Sequence, residues 1–145
     1  QSYFIVLFRD SGSAFWRRFL AIEAVLIGGG AVLVPLGWWL GPIVFSFLFP
    51  GQPSPDGPLI ALIVVSSALV GAMCVTAPAV LARSKHSVYS AGWVAGALVT
   101  IATLLLPLDF ASRTVWALLA GPIVGLLVHL SYLAAPGLLS RRGRI

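Results

Sequence analysis

Apolar residues fall into four long runs along the chain, at 19–49, 58–82, 88–108 and 114–135, and charged residues lie almost entirely between them. A helix rising 1.5 Å per residue needs about 20 residues to cross roughly 30 Å of hydrocarbon. The second, third and fourth runs therefore each predict one crossing. The first is too long for a straight crossing and reads as a tilted or broken span. Its expected break points are Gly28-Gly29-Gly30 and Pro35, because glycine is a weak helix former and proline removes a backbone donor. Asp10-Ser11-Gly12-Ser13 carries the signature of a helix N-cap. This makes residues 13–18 an interfacial helical lead-in, within a segment 1–18 that precedes the membrane domain 19–135. The apolar run at 3–8 is too short for a signal peptide core or a span. Gln1 stands where a methionine would start a chain, so the sequence reads as processed or as part of a longer protein.

The connections are short. The segment at 50–58, with prolines at 50, 53, 55 and 58, must be a loop. Arg83-Ser84-Lys85-His86-Ser87 joins the second run to the third, and residues 107–112 join the third to the fourth. Short connections make consecutive helices antiparallel neighbours.

Composition gives the same class. Of 145 residues, 59% are hydrophobic and 9% charged, with a mean hydropathy of +1.03. A soluble domain carries about 25% charged residues. This excludes an ordinary cytosolic enzyme, a nucleic-acid-binding domain and a disordered tail. The fold class is an all-α integral membrane protein, a four-helix transmembrane bundle with several proline-bent helices. The single cysteine, Cys74, allows no internal disulfide and reads as a packed thiol.

The net charge of +5 bears on orientation rather than on nucleic acid. Arg9, Arg17 and Arg18 precede the first run, Arg83 and Lys85 follow the second, and Arg141, Arg142 and Arg144 lie in the basic tail 136–145. An even number of crossings puts these eight cations on one side, opposite Arg113, Asp56 and Asp109. The positive-inside rule makes that side cytoplasmic, with both termini in the cytosol of a bacterial plasma membrane. Trp16, Trp38, Trp39 and Trp116 suit the interfacial aromatic belt.

Catalytic motifs are missing. The sequence has no phosphate-cradling glycine loop, no His-Glu-x-x-His helix and no Cys/His cluster. His129 lies 16 residues beyond Arg113, about 24 Å along a helix, so Asp109 cannot orient it in a triad. The expectation is a chain that is not an enzyme, with no cofactor and no metal site. Ionisable residues inside a membrane are costly, about 2.5–3.5 kcal/mol at mid-bilayer on insertion scales, and so are candidates for function. Glu23 lies about 7–8 Å past Arg18 along a helix, and His129 about 10 Å before Pro136. At similar depth, they read as a proton-sensitive pair in a common polar pocket. In the competing reading, Glu23 snorkels to the headgroups and His129 bonds a neighbouring helix. Arg17 and Arg18 read either as contacts to a lipid phosphate or anion, or as simple positive-inside anchors.

Gly37-x-x-x-Gly41, Gly92-x-x-x-Gly96 and Gly121-x-x-x-Gly125 each put two small residues on one helix face and permit close backbone approach. They point to tight packing within the bundle or to a docking face for further helices. Pro35, Pro42, Pro78 and Pro122 add bends of the kind that line cavities in transporters.

The passage Gly41-Pro42-Ile43-Val44-Phe45-Ser46-Phe47-Leu48-Phe49-Pro50-Gly51 resembles the close of a late helix in polysaccharide flippases of the multidrug/oligosaccharidyl-lipid/polysaccharide exporter superfamily. Residues 59–82 with the basic turn Arg83-Ser84-Lys85-His86 are similar to that family's following helix and corner. Leu104-Leu105-Leu106-Pro107-Leu108-Asp109 and Trp116-Ala117-Leu118-Leu119-Ala120-Gly121-Pro122 resemble its passage into the last helix. The resemblance implies a flippase for a polysaccharide or lipid-linked oligosaccharide, built from two lobes around a cavity and coupled to ions rather than ATP. This chain corresponds to its last four helices. Ala82 and Ser84 stand where the corner usually has glycine, and no cavity cation has a counterpart. The alternative is a small accessory subunit of a respiratory or cell-envelope complex, packed through its glycine faces. Expected partners are membrane lipids and further transmembrane helices.

Overall fold

The structure, a computed structural model, describes residues 2–135. The basic tail 136–145, with Arg141, Arg142 and Arg144, lies outside the described residues. Five helices follow one another: α1 (Ser2–Arg9), then after a single 3-10 turn at Gly12–Ala14, α2 (Phe15–Leu48), α3 (Gly57–Leu81), α4 (His86–Leu104) and α5 (Phe110–Ala134). Helices α2 to α5 are long and apolar enough to cross a membrane, and no strand occurs among the described residues.

Of the two readings of the first span, the broken one is not met. α2 is one continuous helix of 34 residues that runs through Gly28-Gly29-Gly30, Pro35 and Pro42. It is about 51 Å long at 1.5 Å per residue, well beyond the hydrocarbon thickness. Proline deletes only the hydrogen bond to the carbonyl four residues earlier, and neighbouring groups can compensate within a membrane bundle. At Pro42 the carbonyl so released is that of Trp38, which points at Gly57, the first residue of α3. A side chain at Gly57 would overlap it. The lead-in also differs. Asp10-Ser11-Gly12-Ser13 does not cap α2, whose N-cap position is Ala14 without a side-chain bond. Ser11 instead donates its hydroxyl to the Leu7 carbonyl and accepts from Arg18 Nη1 at 3.1 Å, tying the end of α1 to the start of α2.

True caps occur at the other end of the bundle. Asp56 Oδ1 accepts from Leu59 N at 3.0 Å at the start of α3, and Asp109 Oδ1 from Ser112 N at 3.0 Å at the start of α5. These bonds satisfy orphan amides of the first turn, and a negative charge there complements the helix dipole. Hydrogen bonds from the Ser112 side chain and from its backbone amide hold the fully exposed Asp109 carboxyl below its ordinary pKa. Between α3 and α4 the chain turns at Ser84, whose φ of 59° is left-handed. This is the region that favours glycine.

Helix α3 is the central element. It packs between α2 and α5 and also meets α1 and α4, while α4 packs chiefly on α5. Gly30 lies opposite Ala68, Gly37 opposite Val64 and Gly41 opposite Ile60, so α2 and α3 are antiparallel. Ser66 reaches Leu118 and Thr76 reaches His129, so α3 and α5 are parallel. The core gathers at the end of the bundle where α1 folds back. There Phe8, Phe15 and Phe19 pack with Val75, Ala79, Val80 and Leu133. The Arg83 guanidinium covers this cluster, 4.3 Å from the Phe15 ring centroid and 5.5 Å from that of Trp16, a cation–π arrangement. The first and second groups of basic residues therefore share one end of the bundle. The role of α1 in this core was not legible in its six-residue apolar run.

Candidate functional site

Helices α3, α4 and α5 converge on His129, which is completely buried. Its Nδ1 lies 3.2 Å from Thr76 Oγ1 on α3, and its Nε2 3.3 Å from the Tyr89 carbonyl on α4. A carbonyl only accepts, so Nε2 carries the hydrogen and, in the neutral ring, Nδ1 accepts from the Thr76 hydroxyl. The Tyr89 ring lies nearly parallel to the imidazole, with centroids 6.5 Å apart. Gly92 makes room for the ring: a Cβ there would overlap Nε2 and come within 2.5 Å of Cδ2.

The paired glycine motifs set this geometry. Gly96 and Gly121 meet backbone to backbone, with a Cβ on either falling 2.9 Å from the other's carbonyl oxygen. Met73 of α3 fills the space over Gly125, and Gly37 and Gly41 of α2 receive Val64 and Ile60 of α3. All six glycines thus face other helices of the same chain. The glycine faces invoked for a docked subunit are already occupied.

On the other side of Thr76 an apolar groove of about 530 Å³ opens between α2, α3 and α5. Small residues carve it, among them Gly30, Ala31, Ala68 and Ala72, and Glu23 and Thr76 are its polar members. Both sit toward the end bearing Arg18 and Arg83, while Val34 and Val65 line the far end. Glu23 Oε1 is buried with no hydrogen-bond partner. No hydrogen bond or ion pair joins Glu23 to His129 among the described residues. Thr76 is the residue common to both, lining the groove with Glu23 and bonding His129. Arg17 and Arg18 are exposed at the same end, Arg18 bonded to Ser11. Among the described residues no His, Cys, Asp and Glu gather in a group able to hold a metal ion.

Sequence reasoning missed Thr76 and Ser66, hydroxyls that each bond a partner on α5. Their only signal was a polar side chain within an apolar run, and many such hydroxyls instead bond their own helix, as Ser67 and Thr103 do here.

No family model and no solved structure matches the chain. It is 34% identical over 134 residues, 92% of its length, to the uncharacterized protein Rv3630 of Mycobacterium tuberculosis, and equally to Mb3654 of Mycobacterium bovis. It is 33% identical over 118 residues, 81% of its length, to the uncharacterized protein Rv1510 of Mycobacterium tuberculosis. The aligned segments are 31% and 27% of those proteins, so the chain spans about a third of the length of the curated relatives it matches.

Proposed function

We propose that the chain is a four-span portion of a larger membrane transport protein, of the kind that moves polysaccharides or lipid-linked oligosaccharides. It sits in a bacterial plasma membrane with both ends toward the cytoplasm. The observation that carries this reading is the open flank of α2. Of its 34 residues only Phe15, Phe19 and Gly30 are buried, and α3 is the only span against which it packs extensively. Further helices, in proteins about three times as long, are the natural cover for the part of this flank beyond Val34, where Trp39, Ile43 and Phe47 are exposed. The rival reading, an accessory subunit docked through its glycine faces, loses its docking surface because the chain uses those faces itself.

In this proposal the prolines at 35, 42, 78 and 122 are the points where spans flex between conformations. An anionic headgroup meets the exposed cations at the end bearing Arg17, Arg18 and Lys85, at the cytoplasmic surface. The role requires no catalytic group in these spans. The test is flipping of a fluorescent polyprenyl-diphosphate oligosaccharide in proteoliposomes containing the full-length protein. Translocation above that of protein-free liposomes is expected, and its absence overturns the proposal.

A further inference from the structure

We infer that the groove between α2, α3 and α5 is a binding site for an amphiphile with a protonated amine head and a single apolar tail. Its ammonium is held by Glu23. Three observations lead there, none of which depends on the transport reading.

The groove is polar at one end only. Glu23 and Thr76 lie toward the end bearing Arg18, and the remaining lining, from Leu26 to Val34 on α2 and from Val65 to Ala72 on α3, is apolar. Glu23 lies about 7–8 Å below Arg18 along α2, which places a charged head just under the headgroup boundary with its tail directed into hydrocarbon. From Glu23 to Val34 is about 16 Å along the helix, matching an extended chain of roughly a dozen carbons.

The acceptor has no donor. Glu23 Oε1 is buried and unpartnered, and Arg18 is directed to Ser11 instead. An ammonium supplies both the opposite charge and the N–H that this oxygen needs. A fatty acid would add a second negative charge beside the first, and a neutral alcohol would supply a weaker hydrogen bond.

The groove is also open along its side. Leu20, Ile27 and Ala31 along its α2 edge are exposed, so a ligand reaches it sideways from the lipid without opening the core.

The test uses the full-length protein in phosphatidylcholine nanodiscs and dodecylamine with a photoreactive group at its tail end. Saturable labelling of residues around Val34 and Val65 is expected, competed by unlabelled dodecylamine but not by dodecanol or laurate. Glu23→Gln should reduce the apparent affinity about tenfold, the loss of one charge-assisted hydrogen bond. Ala31→Trp fills the groove from its exposed edge, leaves the core and Glu23 intact, and should abolish labelling. Wild-type affinity in Glu23→Gln overturns the inference, as does competition by laurate equal to that of the amine. A photoreactive residue at position 31 that captures a second copy of the chain instead of the amine also overturns it, and makes the groove a helix-docking face.

Discussion

The hydroxyl of Ser66 supplies to α5 the hydrogen bond that Pro122 denies it. Proline has no amide hydrogen, so the Leu118 carbonyl four residues earlier loses its helical donor. Ser66 Oγ on α3, itself buried, donates to that carbonyl at 2.8 Å. One side chain thus heals a break in a neighbouring helix and fastens the two parallel spans together.

The relationship predicts coupling. Ser66→Ala should destabilise the protein by about 0.5–1.5 kcal/mol, in the range of interhelical hydrogen bonds in membranes. In a Pro122→Ala background the amide returns, and the same change should cost close to nothing. Unfolding equilibria of the four proteins in mixed micelles give the cycle. Equal costs in both backgrounds would show that the Ser66 bond does not replace the missing one.

Gly92 and His129 form a second coupled pair. Gly92→Ala drives a methyl into the imidazole, and overpacking of this kind costs about 1–3 kcal/mol. Removing the ring with His129→Ala should recover part of that loss, so that the double variant is more stable than the sum of the two single effects. Thermal unfolding in detergent measures all three.

Orientation is read with single cysteines in a Cys74→Ala background. Lys85→Cys, in the basic turn, should resist a membrane-impermeant maleimide in intact cells and react after permeabilisation. Ser54→Cys, in the proline loop at the opposite end, should react in both. Labelling of Lys85→Cys from outside would reverse the proposed topology.

Asp109 predicts an acid-sensitive helix start. Its folded pKa is depressed by the bonds to Ser112, so its contribution is present above the ordinary value of 3.8 and is lost as pH falls through the lower folded value. Asp109→Asn keeps an acceptor for the cap but no titrating charge. Stability of the variant should therefore fall less than that of the parent as pH drops through this window, measured by helix content near the α5 N-terminus.

The four spans and the loops between them were legible in the residues alone, because crossing a bilayer depends on the length and apolarity of each segment taken separately. One local reading failed. Gly28-Gly29-Gly30 and Pro35 are breakers in water, but hydrocarbon offers no partner for freed backbone groups, so the helix of α2 continues through them. What only the tertiary structure decided is which polar group meets which. Helices that are apolar all round carry no amphipathic stripe to set their rotation, so nothing in a single run tells whether Thr76 faces His129 or Ser66 faces Leu118. Close glycine contacts chose those rotations, turning Gly92 toward His129 and Gly121 toward Gly96. They left Glu23 in the groove with an unpaired oxygen and joined His129 to Thr76 and Tyr89 instead.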